Sequence, residues 1–220
     1  LEEVANMRLV NLLAELIEEK CTGCGICVKV CPTLSMEMVP NPNPEGPKRI
    51  VAIHAETCVG CWTCEQRCPF EALRMVRRPE PYTVRVPVEE VDRQEVDALC
   101  RKARLNPEQV VCFCTGTRAE EVAAAILKGY RTPEEISRHT GVRTGCKVEC
   151  TQPILRLLEA AEIPLVPTLK DGWQLYGRTI TAWEVPEAVK AKYASRGFYF
   201  DDDIALLNRI VSAAGSRKGG

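Results

Sequence analysis

The sequence predicts an α+β chain made of two small cysteine-rich domains in tandem, followed by a C-terminal extension that carries no cysteine. Three observations support this. Twelve of the thirteen cysteines fall into three tight groups. The first two groups repeat one spacing, with strand-like runs around a proline-rich loop between them. The third group is split by a segment whose apolar residues recur at helical spacing.

Length and composition set the frame. A chain of 220 residues can bury one large core or two small ones. A net charge of −1 gives no reason to expect nucleic-acid binding. No apolar run approaches the ~20 residues of a membrane span. The N-terminal stretch LEEVANMRLVNLLAEL has no basic region and no small-residue cleavage site, so a signal peptide is not expected and a cytoplasmic location is. In a reducing compartment, clustered cysteines are more often metal ligands than disulfides.

The first motif, CTGCGICVKVCP, runs from Cys21 to Pro32, and the second, CVGCWTCEQRCP, from Cys58 to Pro69. Both read C-x2-C-x2-C-x3-C-P, the run of bacterial two-cluster ferredoxins. Three cysteines on one short loop can each reach a different iron of a [4Fe–4S] cube. Gly23, Gly25 and Gly60 let the loop curl and turn its N–H groups inward. The fourth cysteine begins the next segment and points toward the other cube, so ligation crosses over. Cys21, Cys24, Cys27 and Cys68 hold the first cube on this reading, and Cys58, Cys61, Cys64 and Cys31 the second. Four-cysteine zinc sites use pairs separated by a loop, and a third cysteine at the same spacing favours the cube. Pro32 and Pro69 release the chain from helix.

On these residues, 17–78 resemble the bacterial 2[4Fe–4S] ferredoxin family. The resemblance implies a pseudo-twofold domain of two short helices and two small hairpins, and one-electron transfer at low potential. The proline-rich loop at 40–48 is longer than in the smallest members and could add a contact surface.

The third group pairs Cys112 and Cys114 in VCFCTGT with Cys146 and Cys150 in TGCKVEC, with 31 residues between the pairs. Four thiols in two close pairs suit a [2Fe–2S] cluster, with Cys112 and Cys114 expected on one iron. A tetrahedral zinc site is the alternative. Between the pairs, Val122, Ala125, Ile126 and Tyr130 share a helical face. Thr132, Pro133 and Glu135 read as N-cap, N1 and N3 of a second helix that stops at Gly141. QPILRLLEAA starts a third. Helix N-termini near the cysteines would favour an anionic centre. Residues 92–162 resemble the bacterioferritin-associated ferredoxin family, a small helical [2Fe–2S] domain. The C-x-C and the long gap fit; the last pair is C-x3-C where the family has C-x2-C.

The remaining segments are read as an amphipathic N-terminal helix over 1–16, a linker over 79–91, and a docking extension over 163–220. Trp173, Tyr176, Trp183, Phe198, Tyr199 and Phe200 are the extension's expected interface anchors. Cys100 is expected to be a buried free thiol, His54 and His139 to be structural, and Arg67, Arg74, Arg77 and Arg78 to be a solvated face or an offset to cluster charge. No nucleotide-binding, phosphate-binding or hydrolytic motif is found. The expected cofactors are therefore two [4Fe–4S] clusters and one [2Fe–2S] cluster. The expected function is that of a non-catalytic electron-transfer subunit in a hetero-oligomeric oxidoreductase, beside a flavin- or Mo/W-dependent catalytic subunit. An iron-handling or redox-sensing protein is the alternative.

Overall fold

The computed structural model describes residues 8–172 and 176–213. Its first domain repeats itself at an interval of 37 residues, the distance from Cys21 to Cys58. Strand β1 (Arg8–Leu16) precedes the first motif as strand β3 (Arg49–Ile53) precedes the second. Helix α1 (Ile26–Val30) and strand β2 (Met36–Pro40) follow the first as helix α2 (Thr63–Arg67) and strand β4 (Leu73–Val84) follow the second. Each short helix ends where its fourth cysteine turns extended, ahead of the proline.

Two antiparallel pairs close the repeat. β2 and β3 form a hairpin, Met36 opposite Ile53 and Pro40 opposite Arg49. β1 and β4 pair across the whole domain, Leu16 opposite Leu73 and Arg8 opposite Val84. The domain thus has one hairpin and one pairing of distant strands, in place of two hairpins.

Two segment assignments change. The helix expected over 1–16 is a strand across residues 8–16; residues 1–7, with Val4 and Met7, lie outside the described residues. RLVNLLAEL is rich in leucine and alanine, which favour helix locally, but pairing with β4 buries Val10 and Ala14 and overrides that preference. The linker expected over 79–91 begins as strand, because β4 continues to Val84. Its prolines are accommodated by a bulge: Val10 pairs with Tyr82 and Leu12 with Arg77, leaving residues 78–81 opposite Asn11 alone.

The second domain packs four helices, α3 (Arg93–Lys102), α4 (Ala119–Leu127), α5 (Pro133–Thr140) and α6 (Thr151–Ala160). A small ladder joins β5 (Val110–Cys112) to β6 (Thr117–Arg118). Val96, Val122, Ile136, Ile154 and Leu157 are fully enclosed in its core. Ala123, Ala124 and Ala125 are equally buried, and their small side chains let α4 run through the centre of the bundle. The caps are as the residues dictate. The Thr132 hydroxyl accepts from the Glu135 amide, Glu135 reaches back to the Thr132 amide, Pro133 occupies the first turn, and Gly141 ends α5 at φ +77°.

The extension turns back along this helical domain. Arg178 pairs with Glu159 at 2.6 Å, and Gln152 bonds the backbone of Gly177 and Thr179. Helices α7 (Glu187–Ala194) and α8 (Phe200–Ser212) bury no residue. No helix among the described residues is long and apolar enough to cross a membrane.

Candidate metal centres

The repeat places each set of thiols by the same backbone device. Gly23 and Gly60 stand at equivalent positions with φ of +72° and +60°. A methyl group on Gly60 would fall 2.8 Å from the Leu12 carbonyl oxygen in β1, and one on Gly23 2.3 Å from that of Arg49 in β3, so each cysteine loop lies directly on the strand that precedes the other motif. The fourth cysteines are likewise matched. The Ser35 amide donates to the Cys31 sulfur at 3.2 Å, and the Ala72 amide to the Cys68 sulfur at 3.3 Å. The Cys58 sulfur receives the amides of Ala14 and Gly60. Backbone donors converging on sulfur stabilise thiolate, the form that binds iron.

Burial opposes ionisation at these sites. It pushes the Cys27 thiol up to about 11 and raises Cys58 and Cys64 as well. Thiols this enclosed become thiolates when a metal supplies the compensating positive charge. Cys27, Cys31, Cys58 and Cys64 all lie in the core of the first domain with Ala14, Met36, Val51 and Leu73. The donor set therefore fits metal-bound sulfur inside an apolar shell.

The third group is organised by cross-pairing. The thiols of Cys112 and Cys150 hydrogen-bond each other, and those of Cys114 and Cys146 do the same. These contacts bring the two close pairs together across the long gap. β5 ends at Cys112, and the turn after it carries the Cys114 side chain away from the buried Cys112 to the surface. The bond from Cys150, with help from Thr115, holds the Cys112 thiol down to about 5, and the same bond raises Cys150. The Cys146 amide donates to the Cys114 sulfur at 3.3 Å. Arg143, at φ +62°, turns its backbone N–H to both Cys112 and Cys150. Its guanidinium is buried against Glu134 at 3.1 Å, and Glu134 also accepts from Thr168 and from the Tyr176 hydroxyl.

Among the described residues, no three His, Cys, Asp or Glu side chains gather tightly enough for a single metal ion. Arrangement and chemistry together define a protein with two kinds of thiolate-built metal site.

Comparison with family models agrees. Residues 20–72 match the 4Fe-4S dicluster domain, and residues 110–160 match the BFD-like [2Fe-2S] binding domain. The chain thus carries, in this order, a segment similar to the 4Fe-4S dicluster domain and one similar to the BFD-like domain. No curated protein matches the chain.

The other singled-out residues are also placed. Cys100 is fully buried in α3, and burial pushes its thiol up to about 12. His139 stacks flat on Tyr130 at 3.8 Å, and the His54 ring faces Glu37. Arg78 bonds the Cys58 carbonyl at 2.8 Å and lies over the Tyr82 ring, while Arg74 pairs with Glu15. Three contributors escaped the sequence reading: Gly145, Arg143 and Lys147. Their only signal was the four-residue spacing from Cys146 to Cys150 and the loop that leads into it.

Proposed function

We propose that this chain is the electron-transfer subunit of an oxidoreductase complex, relaying single electrons between a catalytic flavin- or Mo/W-containing subunit and a second redox partner. Its ligand sets would be Cys21, Cys24, Cys27 and Cys68 for one cube, Cys58, Cys61, Cys64 and Cys31 for the other, and Cys112, Cys114, Cys146 and Cys150 for a [2Fe–2S] cluster. Bound there, the clusters supply one-electron chemistry; the residues described above hold thiolates, donate N–H groups to sulfur and exclude water.

The observation that carries this reading is the direct docking of the two iron–sulfur domains on each other. Arg138 of the helical domain donates to the Thr33 carbonyl at 2.6 Å, and Lys147 donates to that of Val30 at 3.1 Å. Arg8 of the ferredoxin-like domain reaches back to Thr144. Two sites held in one body serve transfer between them, which independent iron storage would not require. Anaerobic purification should yield a stoichiometric complex with a larger redox subunit and about ten irons on this chain. Recovery as a free chain that binds an iron-storage protein would overturn the reading in favour of iron handling.

A further inference from the structure

The three cysteine sites differ in how they meet solvent. Cys24 of the first cube site is exposed, and so are Cys114 and Cys146 of the two-iron site. The second cube site shows no exposed ligand: Cys31, Cys58 and Cys64 are buried, and Cys61 is half-buried. The contacts between domains also fall around that second site. Arg8 reaches both the Val59 carbonyl and Thr144. Arg138 holds Thr33, two residues from Cys31. One open cleft is walled by Gly60, Cys61 and Trp62 on one side and by Cys114, Thr144 and Gly145 on the other.

Lys147 stands at the centre of this boundary. It occupies the loop between Cys146 and Cys150 at φ +61°, a left-handed conformation that a side-chain-bearing residue adopts at a cost. That conformation sends its half-buried side chain out of its own domain, so that Nζ donates to the Val30 carbonyl, the residue before Cys31. Nζ thus lies against the peptide that leads directly into Cys31.

We infer that the second cube is the middle member of the relay, between a first cube and a [2Fe–2S] cluster that each open to the surface, and that Lys147 is a positioning residue holding a positive charge in the gap. This rests on the electron-transfer reading above. Oxidised all-cysteine clusters each carry about −2. A cation between two of them favours their reduced forms and offsets their mutual repulsion. Each transfer moves one electron, reducing one site as its neighbour is oxidised, with no bond made or broken.

The test uses the full chain, reconstituted anaerobically and titrated potentiometrically by EPR, with the cubes told apart in a Cys24→Ala background that lacks the first. Lys147→Gln should lower the midpoints of the [2Fe–2S] cluster and the second cube, a change of about threefold to tenfold in the oxidised-to-reduced ratio, or about 30–60 mV for one electron. The first cube should not move, and Lys147→Arg should stay near the unaltered protein. An unmoved pair, or an equal shift of all three, overturns the assignment of Lys147. The unaltered protein gives an independent check of order. Reducing the cubes should speed spin relaxation of the reduced [2Fe–2S] signal, and this effect should survive removal of the first cube by Cys24→Ala. Its loss with the first cube would overturn the order. A reconstituted chain without cubes or a two-iron signal would instead overturn the iron–sulfur reading itself.

Discussion

Gly145 stands so close to Cys114 that a methyl group on its α-carbon would fall 2.5 Å from the Cys114 Cβ and 2.7 Å from its sulfur. The obstruction is the ligand itself, and Cys114 is already fixed by the Cys146 amide. Gly145→Ala should therefore displace Cys114 and empty the two-iron site, leaving both cubes, whose ligands belong to another domain. Iron should fall from about ten to about eight per chain, with loss of the [2Fe–2S] EPR signal and retention of the cube signals. Full retention of ten irons would show that the loop can open without cost.

Cys100 gives the opposite expectation. It is fully enclosed between Val96, Leu99 and the α4 alanines, and its thiol is held protonated by burial. Cys100→Ala should leave every cluster signal in place and lower stability by about 1 kcal/mol, from the small cavity it opens. Anaerobic urea unfolding measures the cost and EPR the clusters. Loss of any cluster would place Cys100 among the ligands.

The Glu134–Arg143 pair is nearly inaccessible, and it braces the residue whose backbone N–H serves Cys112 and Cys150. Removing one member of a buried pair strands the other charge, at about 3–5 kcal/mol. Glu134→Ala should reach that range and loosen the two-iron site. Tyr176→Phe removes a single hydrogen bond and should cost about 1 kcal/mol. The two changes share Glu134, so a double-mutant cycle by urea unfolding should be non-additive. Additivity would mean that Tyr176 does not act through Glu134.

What could be read in advance divides along physical lines. The cysteine spacings, the Thr132–Pro133–Glu135 cap and the Gly141 stop are local, since each is set by residues within a turn of one another. β1 is different, because its partner lies some sixty residues away and its leucines fit a helix equally well. The internal repeat nevertheless argues against a helix. Counting back 37 residues from RIVAI, the strand before the second motif, lands within RLVNLLAEL, and an internal repeat constrains both copies. The pairing of Cys112 with Cys150 and the reach of Lys147 had no such shadow. Both depend on how loops from separate segments meet.

The extension divides into a part that braces the buried Glu134 and a part held to the rest of the chain more lightly, with Asn106 donating to the Ile210 carbonyl of α8 at 2.8 Å. Tyr176 bonds Glu134, and Trp183 bonds Asn208 while lying under Arg104, so neither is free to act as an interface anchor; Trp173 lies outside the described residues. Phe198 and Tyr199 are more than half exposed, beside helices that bury nothing. Exposed aromatics of this kind suit docking on a partner. Removing residues 186–220 should then leave about ten irons and the visible spectrum unchanged, while breaking co-purification with the larger subunit. Removing 164–220 should also strip Thr168 and Tyr176 from Glu134, uncovering the Glu134–Arg143 pair and lowering [2Fe–2S] occupancy while the cubes stay filled. Iron analysis and pull-down on both truncations separate the two roles. A complex that survives the shorter truncation would place docking elsewhere on the chain, and a [2Fe–2S] site indifferent to the longer one would show that Tyr176 braces nothing the cluster needs.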